Sequence, residues 1–130
     1  LFFSGDNCCG EKVHYGVMVA RSKSPTGPFE TLAQAEKNRK NSVILEKNEE
    51  WLAPGHNSVI RDNVGRDWMF YHAINMKKRN LEGATLDRDV RRVMLISPLT
   101  YKNGWVYVEG GTPTLQSKTI PKIKRRKNVK

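Results

Sequence analysis

The residues best placed to do chemistry gather around Ala53-Pro54-Gly55-His56-Asn57-Ser58-Val59-Ile60. Pro54 fixes its own φ and Gly55 tolerates φ > 0, so the pair predicts a sharp turn into an apolar, β-branched strand. His56 would then sit at the strand mouth, where a side chain can point into a shared cavity instead of a core. The same residues also describe a turn followed by an ordinary half-buried histidine. Read locally, both alternatives stay open. Cys8 and Cys9 are adjacent. A mutual disulfide would close a strained ring of neighbouring residues, so normal disulfide geometry argues against one. With no third cysteine and no CxxC spacing, no zinc site is predicted. Pairing with a cysteine outside the chain stays open, and so does the redox compartment.

The elements that must position these groups read as strands. Residues 1–4 look like the end of an aromatic-rich strand, and 14–21 form the next. Tyr15, Val17 and Val19 share one face of it, and Gly16, Met18 and Ala20 the other. Both faces are apolar, which predicts a strand covered on both sides. Ser24-Pro25-Thr26-Gly27-Pro28 is a turn that no helix would survive. Residues 29–32 and 43–45 are extended. Between them lies a polar surface insertion, for which a short helix over 32–40 is the alternative. Further strands are expected at 57–61, 67–73, 92–96 (ended by Pro98) and 105–108, with a charged loop over 77–89. The second of these again has no freely solvated face. Asn103-Gly104 favours a tight hairpin.

The chain resembles itself weakly. Val17-Met18-Val19-Ala20 and Val93-Met94-Leu95-Ile96 are each preceded by an aromatic strand end and followed by a Ser/Pro turn. This predicts two copies of a four-stranded antiparallel unit, the first missing its opening strand. Such units repeated radially are β-propeller blades, and closed propellers need about four to eight of them. Two blades would leave broad apolar faces exposed. The chain, which starts at Leu1 inside an apolar run, is therefore expected to be the C-terminal part of a larger protein.

The 130 residues have room for one modest domain. No apolar run approaches the ~18 residues of a membrane helix, so no membrane partner is expected. The net charge of +10 belongs mostly to the tail. Lys118, Lys122, Lys124, Arg125, Arg126, Lys127 and Lys130 leave 16 basic against 13 acidic groups elsewhere. The body has no phosphate-binding Gly-rich loop and no basic stripe interleaved with aromatics, so no specific nucleic-acid partner is expected.

Phe2-Phe3-Ser4-Gly5, followed by Tyr15 to Arg21 and Ser22-Lys23-Ser24-Pro25-Thr26-Gly27-Pro28-Phe29, resembles the fourth blade of glycoside hydrolase family 43. Pro54-Gly55-His56-Asn57-Ser58, Phe70-Tyr71-His72-Ala73, Arg92-Val93-Met94-Leu95-Ile96 and Asn103-Gly104-Trp105 are similar to its fifth. The resemblance covers roughly residues 1–112. Val106 departs from a common Pro and Tyr101 from a common Trp, which puts substrate details in doubt more than the fold. The resemblance implies an all-β, five-bladed β-propeller of which this chain supplies about the last two blades. Residues 1–54 would be a partial fourth blade, 55–112 the last blade, and 113–130 a disordered basic tail.

The resemblance also implies a secreted glycosidase acting on arabinose- or xylose-containing polysaccharide, arabinan before xylan. Its inverting mechanism would use an Asp base, a Glu acid and a second Asp that tunes the acid, with the carboxylates about 6.5–9.5 Å apart across the sugar. All three would lie upstream, so no catalytic residue is assigned within the chain, which alone should be inactive. Asp6, Glu11, Asp62 and Asp67, weighed as substitutes, read as solvated carboxylates in turns and loops. Two family roles carry over. His56 matches an axial histidine that helps hold a largely hydrated Ca2+ in many members, although imidazole is an atypical calcium ligand. Arg92 matches an arginine near the substrate or the catalytic carboxylates, where a guanidinium donates several fixed hydrogen bonds. His72 is expected to pack within the blade. Competing readings are a carbohydrate-binding propeller without its acids and a tail-driven binder of polyanions.

Overall fold

The structure is a computed structural model that describes residues 1–9, 12–83, 90–115 and 119–124. The elements are β1 (Phe2–Asn7), β2 (His14–Arg21), β3 (Glu30–Thr31), α1 (Leu32–Ala35), β4 (Val43–Leu45), β5 (Trp51–Arg61), β6 (Asp67–Asn75), β7 (Arg92–Lys102) and β8 (Trp105–Val108). They form two antiparallel sheets. In the first, β2 pairs with β1 on one edge and with both β3 and β4 on the other. The second is the meander β5-β6-β7-β8. The arrangement of β1, β2 and the β3/β4 edge repeats β6-β7-β8, and among the described residues β5 has no counterpart in the first sheet. This matches the expected repeat with one opening strand missing.

The core lies between the sheets. Val17, Val19 and Leu45 of the first sheet and Leu32 beside it are buried with Met69, Tyr71, Ala73, Leu95 and Trp105 of the second. Period-2 alternation places Met69, Tyr71 and Ala73 on one face of β6, opposite Ser97, Leu95 and Val93 of β7. Tyr71 and Ser97 bring hydroxyls into this layer and satisfy each other at 2.9 Å. The other face carries Phe70 and His72 beside Ile96 and Met94. Met94 is 75% exposed, so the middle of this face is open among the described residues, while Trp68 and Ile74 at its two ends are buried. Two neighbouring propeller blades pack in this way, each lending one face to a shared layer.

Local chemistry departs from expectation in instructive places. β5 begins at Trp51 and runs unbroken through Pro54-Gly55, so the expected boundary at residue 54 falls inside a strand. β7 likewise continues through Pro98. Pro98 is the last β7 residue opposite β6, and its carbonyl accepts from Glu109, so the missing N–H costs no sheet bond there. The insertion after β3 holds a single helical turn, α1. Thr31 caps it in a reciprocal capping box with Gln34, and buried Leu32 anchors it. Asn103 and Gly104 both have positive φ, as a two-residue hairpin requires.

Asp62 and Asp67 are buried, not solvated. Asp62 accepts from the backbone N–H groups of Val64, Arg66 and Lys122 and from the Trp68 indole. Burial pushes its carboxyl up, but these donors outweigh it and hold the pKa at about 2. Arg61 and Tyr101 donate to Asp67 and also hold it at about 2, against burial. Asp62 thereby ties the tail to the body. Lys122 and Lys124 bond to the β5–β6 turn through their backbones, so the chain is anchored at these two residues, within the stretch expected to be a disordered tail.

Both carboxylates ionise more readily in the folded state than at the ordinary value of 3.8. Their stabilisation is therefore complete above about pH 4 and is lost as pH falls through about 2. Thermal melts should show a steep fall in Tm across that window, and Asp62→Asn should flatten part of it. An unchanged pH slope in Asp62→Asn would assign the acid sensitivity elsewhere.

Candidate functional site at the junction of the sheets

At one end of the shared layer, β2 reaches across to β5. The Tyr15 ring lies so close over Gly55 that a Cβ there would sit 2.1 Å from Tyr15 Cε1. Gly55 is thus required for close approach and not for its φ, since the positive values fall on its neighbours Ala53 (51°) and His56 (54°). Register shifts on either side of Gly55 mark a bulged strand instead of the expected turn. The bulge re-aims His56, a common use of bulges near functional sites. Its backbone N–H donates to Ser4 Oγ at 2.8 Å, and Ser4 Oγ donates to Asn57 Oδ1 at 3.3 Å. β1 therefore fixes the stretch that carries His56.

Arg92 opens β7 at the same end. Its Nη2 donates to the Cys8 carbonyl at 2.6 Å and its Nη1 meets His72 Nδ1 at 3.3 Å. A guanidinium only donates, so His72 Nδ1 must be the acceptor and carry no proton. Burial, then Arg92, then His56 all push the His72 pKa below its ordinary value. The His72 ring stacks near Tyr15 at 6.2 Å and near His56 at 6.0 Å. His56, His72 and Arg92 are thus one cluster, with His56 exposed and the other two half-buried.

Both predicted site residues, His56 and Arg92, belong to this cluster. His72, expected to pack inside its blade, is the link between them. Pairing opposite Gly55 places it there, and that register could not be read without the bulge. A second pair went unnoticed: Asp6 lies 2.7 Å from His14 Nδ1, and this hydrogen bond holds the Asp6 carboxyl below its ordinary value. A cavity of about 230 Å³ borders that pair and includes none of His56, His72 or Arg92. Glu11 lies outside the described residues.

Cys8 and Cys9 are bonded to each other, contrary to the expectation from normal disulfide geometry. The vicinal ring is a separate case, closed across one peptide unit. Among the described residues, no three His, Cys, Asp or Glu side chains gather to hold a metal. The nearby oxygens of Ser4 and Asn57 are engaged with each other. A hard cation that prefers six to eight oxygens could take His56 as a ligand, with the remainder from water or other segments. The cluster can donate to and accept from hydroxyl groups. It offers no carboxylate for proton transfer.

The fold and site define two blades of a β-propeller with a polar, cationic cluster at the blade junction. The family model for "Glycosyl hydrolases family 43" matches residues 1–106. The chain belongs to that family. It is 34% identical over 76 residues to the extracellular exo-α-(1→5)-L-arabinofuranosidase ArbA of Cellvibrio japonicus (strain Ueda107), covering 56% of this chain and 21% of that protein. It is 26% identical over 107 residues to the extracellular endo-α-(1→5)-L-arabinanase 1 of Bacillus subtilis (strain 168), covering 81% of this chain and 29% of that protein. The chain spans less than a third of the length of either relative. No helix among the described residues is long and apolar enough to cross a membrane.

The cluster predicts a specific titration. His72 should protonate below the ordinary 6.5, and Arg92→Ala should raise its pKa by removing a positive neighbour and part of its burial. Histidine ring NMR shifts followed against pH read this directly. A His72 pKa that stays put in Arg92→Ala would show that the guanidinium does not act on it.

Proposed function

We propose that this chain is part of a secreted glycoside hydrolase that cleaves arabinofuranosyl linkages of plant cell-wall polysaccharide, with arabinan as the first substrate. The observation that carries the reading is the family match over residues 1–106, which includes the whole His56, His72 and Arg92 cluster. Two relatives named for α-(1→5)-L-arabinose linkages, both also named extracellular, support the substrate class and the location. The five-bladed ring would be completed by blades outside this chain, covering the open face around Phe70 and Met94.

In this reading the chain binds and positions, and the catalytic carboxylates come from upstream blades. Arg92 has more N–H donors than its bonds to Cys8 and His72 use, and it offers them to sugar hydroxyls or to an upstream carboxylate. His72, unprotonated at Nδ1, keeps that guanidinium in place. Neutral sugar is compatible with such a cluster, because hydroxyl groups both accept and donate. An Asp base and a Glu acid on opposite faces of the sugar, about 6.5–9.5 Å apart, would invert the anomeric centre. His56 and water would hold a hydrated Ca2+ near the axis. Such an ion, when bound, would supply fixed positive charge.

The competing reading is a carbohydrate-binding propeller without turnover. It is favoured by one observation: no carboxylate faces Arg92 or His56 among the described residues. The full-length protein assayed on linear α-(1→5)-arabinan separates the two. Hydrolysis with release of the inverted sugar is expected, and Arg92→Ala should lower kcat/KM by about ten- to a hundredfold, as loss of a charged hydrogen-bond donor does. Binding without hydrolysis would establish the competing reading. Equal calcium affinity in the protein and its His56→Ala variant would remove the metal role.

A further inference from the structure

Cys8 and Cys9 follow β1 directly and end beside Arg92. Their sulfurs are bonded, both residues are exposed, and the chain has no other cysteine. The ring that this bond closes contains the peptide unit joining the two residues. That unit carries the Cys8 carbonyl, the acceptor for Arg92 Nη2 at 2.6 Å. Its other polar group, the Cys9 N–H, donates to Asn7 Oδ1 at 3.4 Å, while Asn7 Nδ2 donates to the Lys12 carbonyl at 3.0 Å. Asn7 therefore fixes the ring from the β1 side, and the ring presents its carbonyl to Arg92 on β7.

We propose that the Cys8–Cys9 disulfide is a positioning element for Arg92, holding the Cys8 carbonyl where it orients the guanidinium toward substrate. The substrate half of this inference rests on the function proposed above. The orienting half rests on geometry alone. Without the sulfur–sulfur bond, the long Cys9–Asn7 hydrogen bond at 3.4 Å is what remains on the β1 side to hold the peptide unit. Arg92 would then keep only His72 as a fixed partner among those described. A dithiol reductant makes the comparison. It breaks the bond between the sulfurs, delivers two electrons and two protons to give two thiols, and is itself oxidised to a cyclic disulfide. Both cysteines are exposed, so the reagent has access.

The test uses the full-length protein, oxidised and dithiol-reduced, with intact mass confirming two added hydrogens. Two readouts are followed: kcat and KM on linear α-(1→5)-arabino-oligosaccharides, and hydrogen exchange of the Arg92 guanidinium by 15N NMR. Reduction should lower kcat/KM by about tenfold, mainly through KM, and speed the Arg92 exchange. Cys8→Ser/Cys9→Ser should match the reduced protein and ignore the reductant, which controls for thiols elsewhere. In Arg92→Lys, reduction should change KM little, an outcome that a merely structural disulfide would not give. Unchanged KM and unchanged exchange on reduction would overturn the proposal. A protein that cleaves no arabino-oligosaccharide would end the proposed hydrolysis but not this inference, because Arg92 exchange still decides the orienting role.

Discussion

Everything at the functional end depends on one close approach, the Tyr15 ring lying against a residue without a side chain at Gly55. Interiors are packed to crystal-like density, so a place for an aromatic ring exists only where another side chain is missing. Here the missing side chain lets two sheets close at the point where β5 bulges. The bulge gives His56 its left-handed φ and turns its N–H onto Ser4 of the other sheet. The same closure brings Cys8, at the end of β1, within reach of Arg92 on β7. A shared apolar layer would hold the sheets together without these contacts. It would not fix their register to the fraction of an ångström that a binding cluster needs.

The two ends of the molecule divide the polar work. Toward the β5–β6 turn, Asp62 and Asp67 are buried among donors and act as structural carboxylates, and Asp62 also fastens the tail. At the opposite end of these strands the cluster is cationic and imidazole-rich, with the His72 pKa held below its ordinary value by burial and by Arg92. A second fastening lies where β2 ends: Arg21 stacks 4.2 Å over Trp105 and pairs with Glu30. The sheets are thus clamped at both ends of β2. At the end carrying Gly55, His56 is exposed and His72 and Arg92 are half-buried, open to a ligand.

Much of the fold was legible because it rests on local signals. Alternation in β2 and β6, the Asn103-Gly104 hairpin and the repeated aromatic strand ends each announce an element by its own chemistry. His56 and Arg92 were singled out through the resemblance, and the structure places them in one cluster. What stayed hidden depends on long-range geometry. Pro54-Gly55 reads as a turn in any local window, and only Tyr15, forty residues earlier, shows why the glycine is needed. Asp62 reads as a solvated turn residue until Trp68 and Lys122 converge on it. His72 becomes a site residue only through a bulged register, and the Cys8–Cys9 ring lies outside the usual geometry of paired cysteines.

The most direct test of this account is a double-mutant cycle at the close approach, measured as unfolding free energy of the full-length protein. Gly55→Ala should destabilise by about 1–3 kcal/mol, the usual cost of overpacking. In a Tyr15→Ala background the same substitution should cost less than about 0.5 kcal/mol, because the ring it strikes is gone. Equal costs in both backgrounds would mean that Tyr15 and Gly55 do not meet, and the account of how the blades position the site would be wrong.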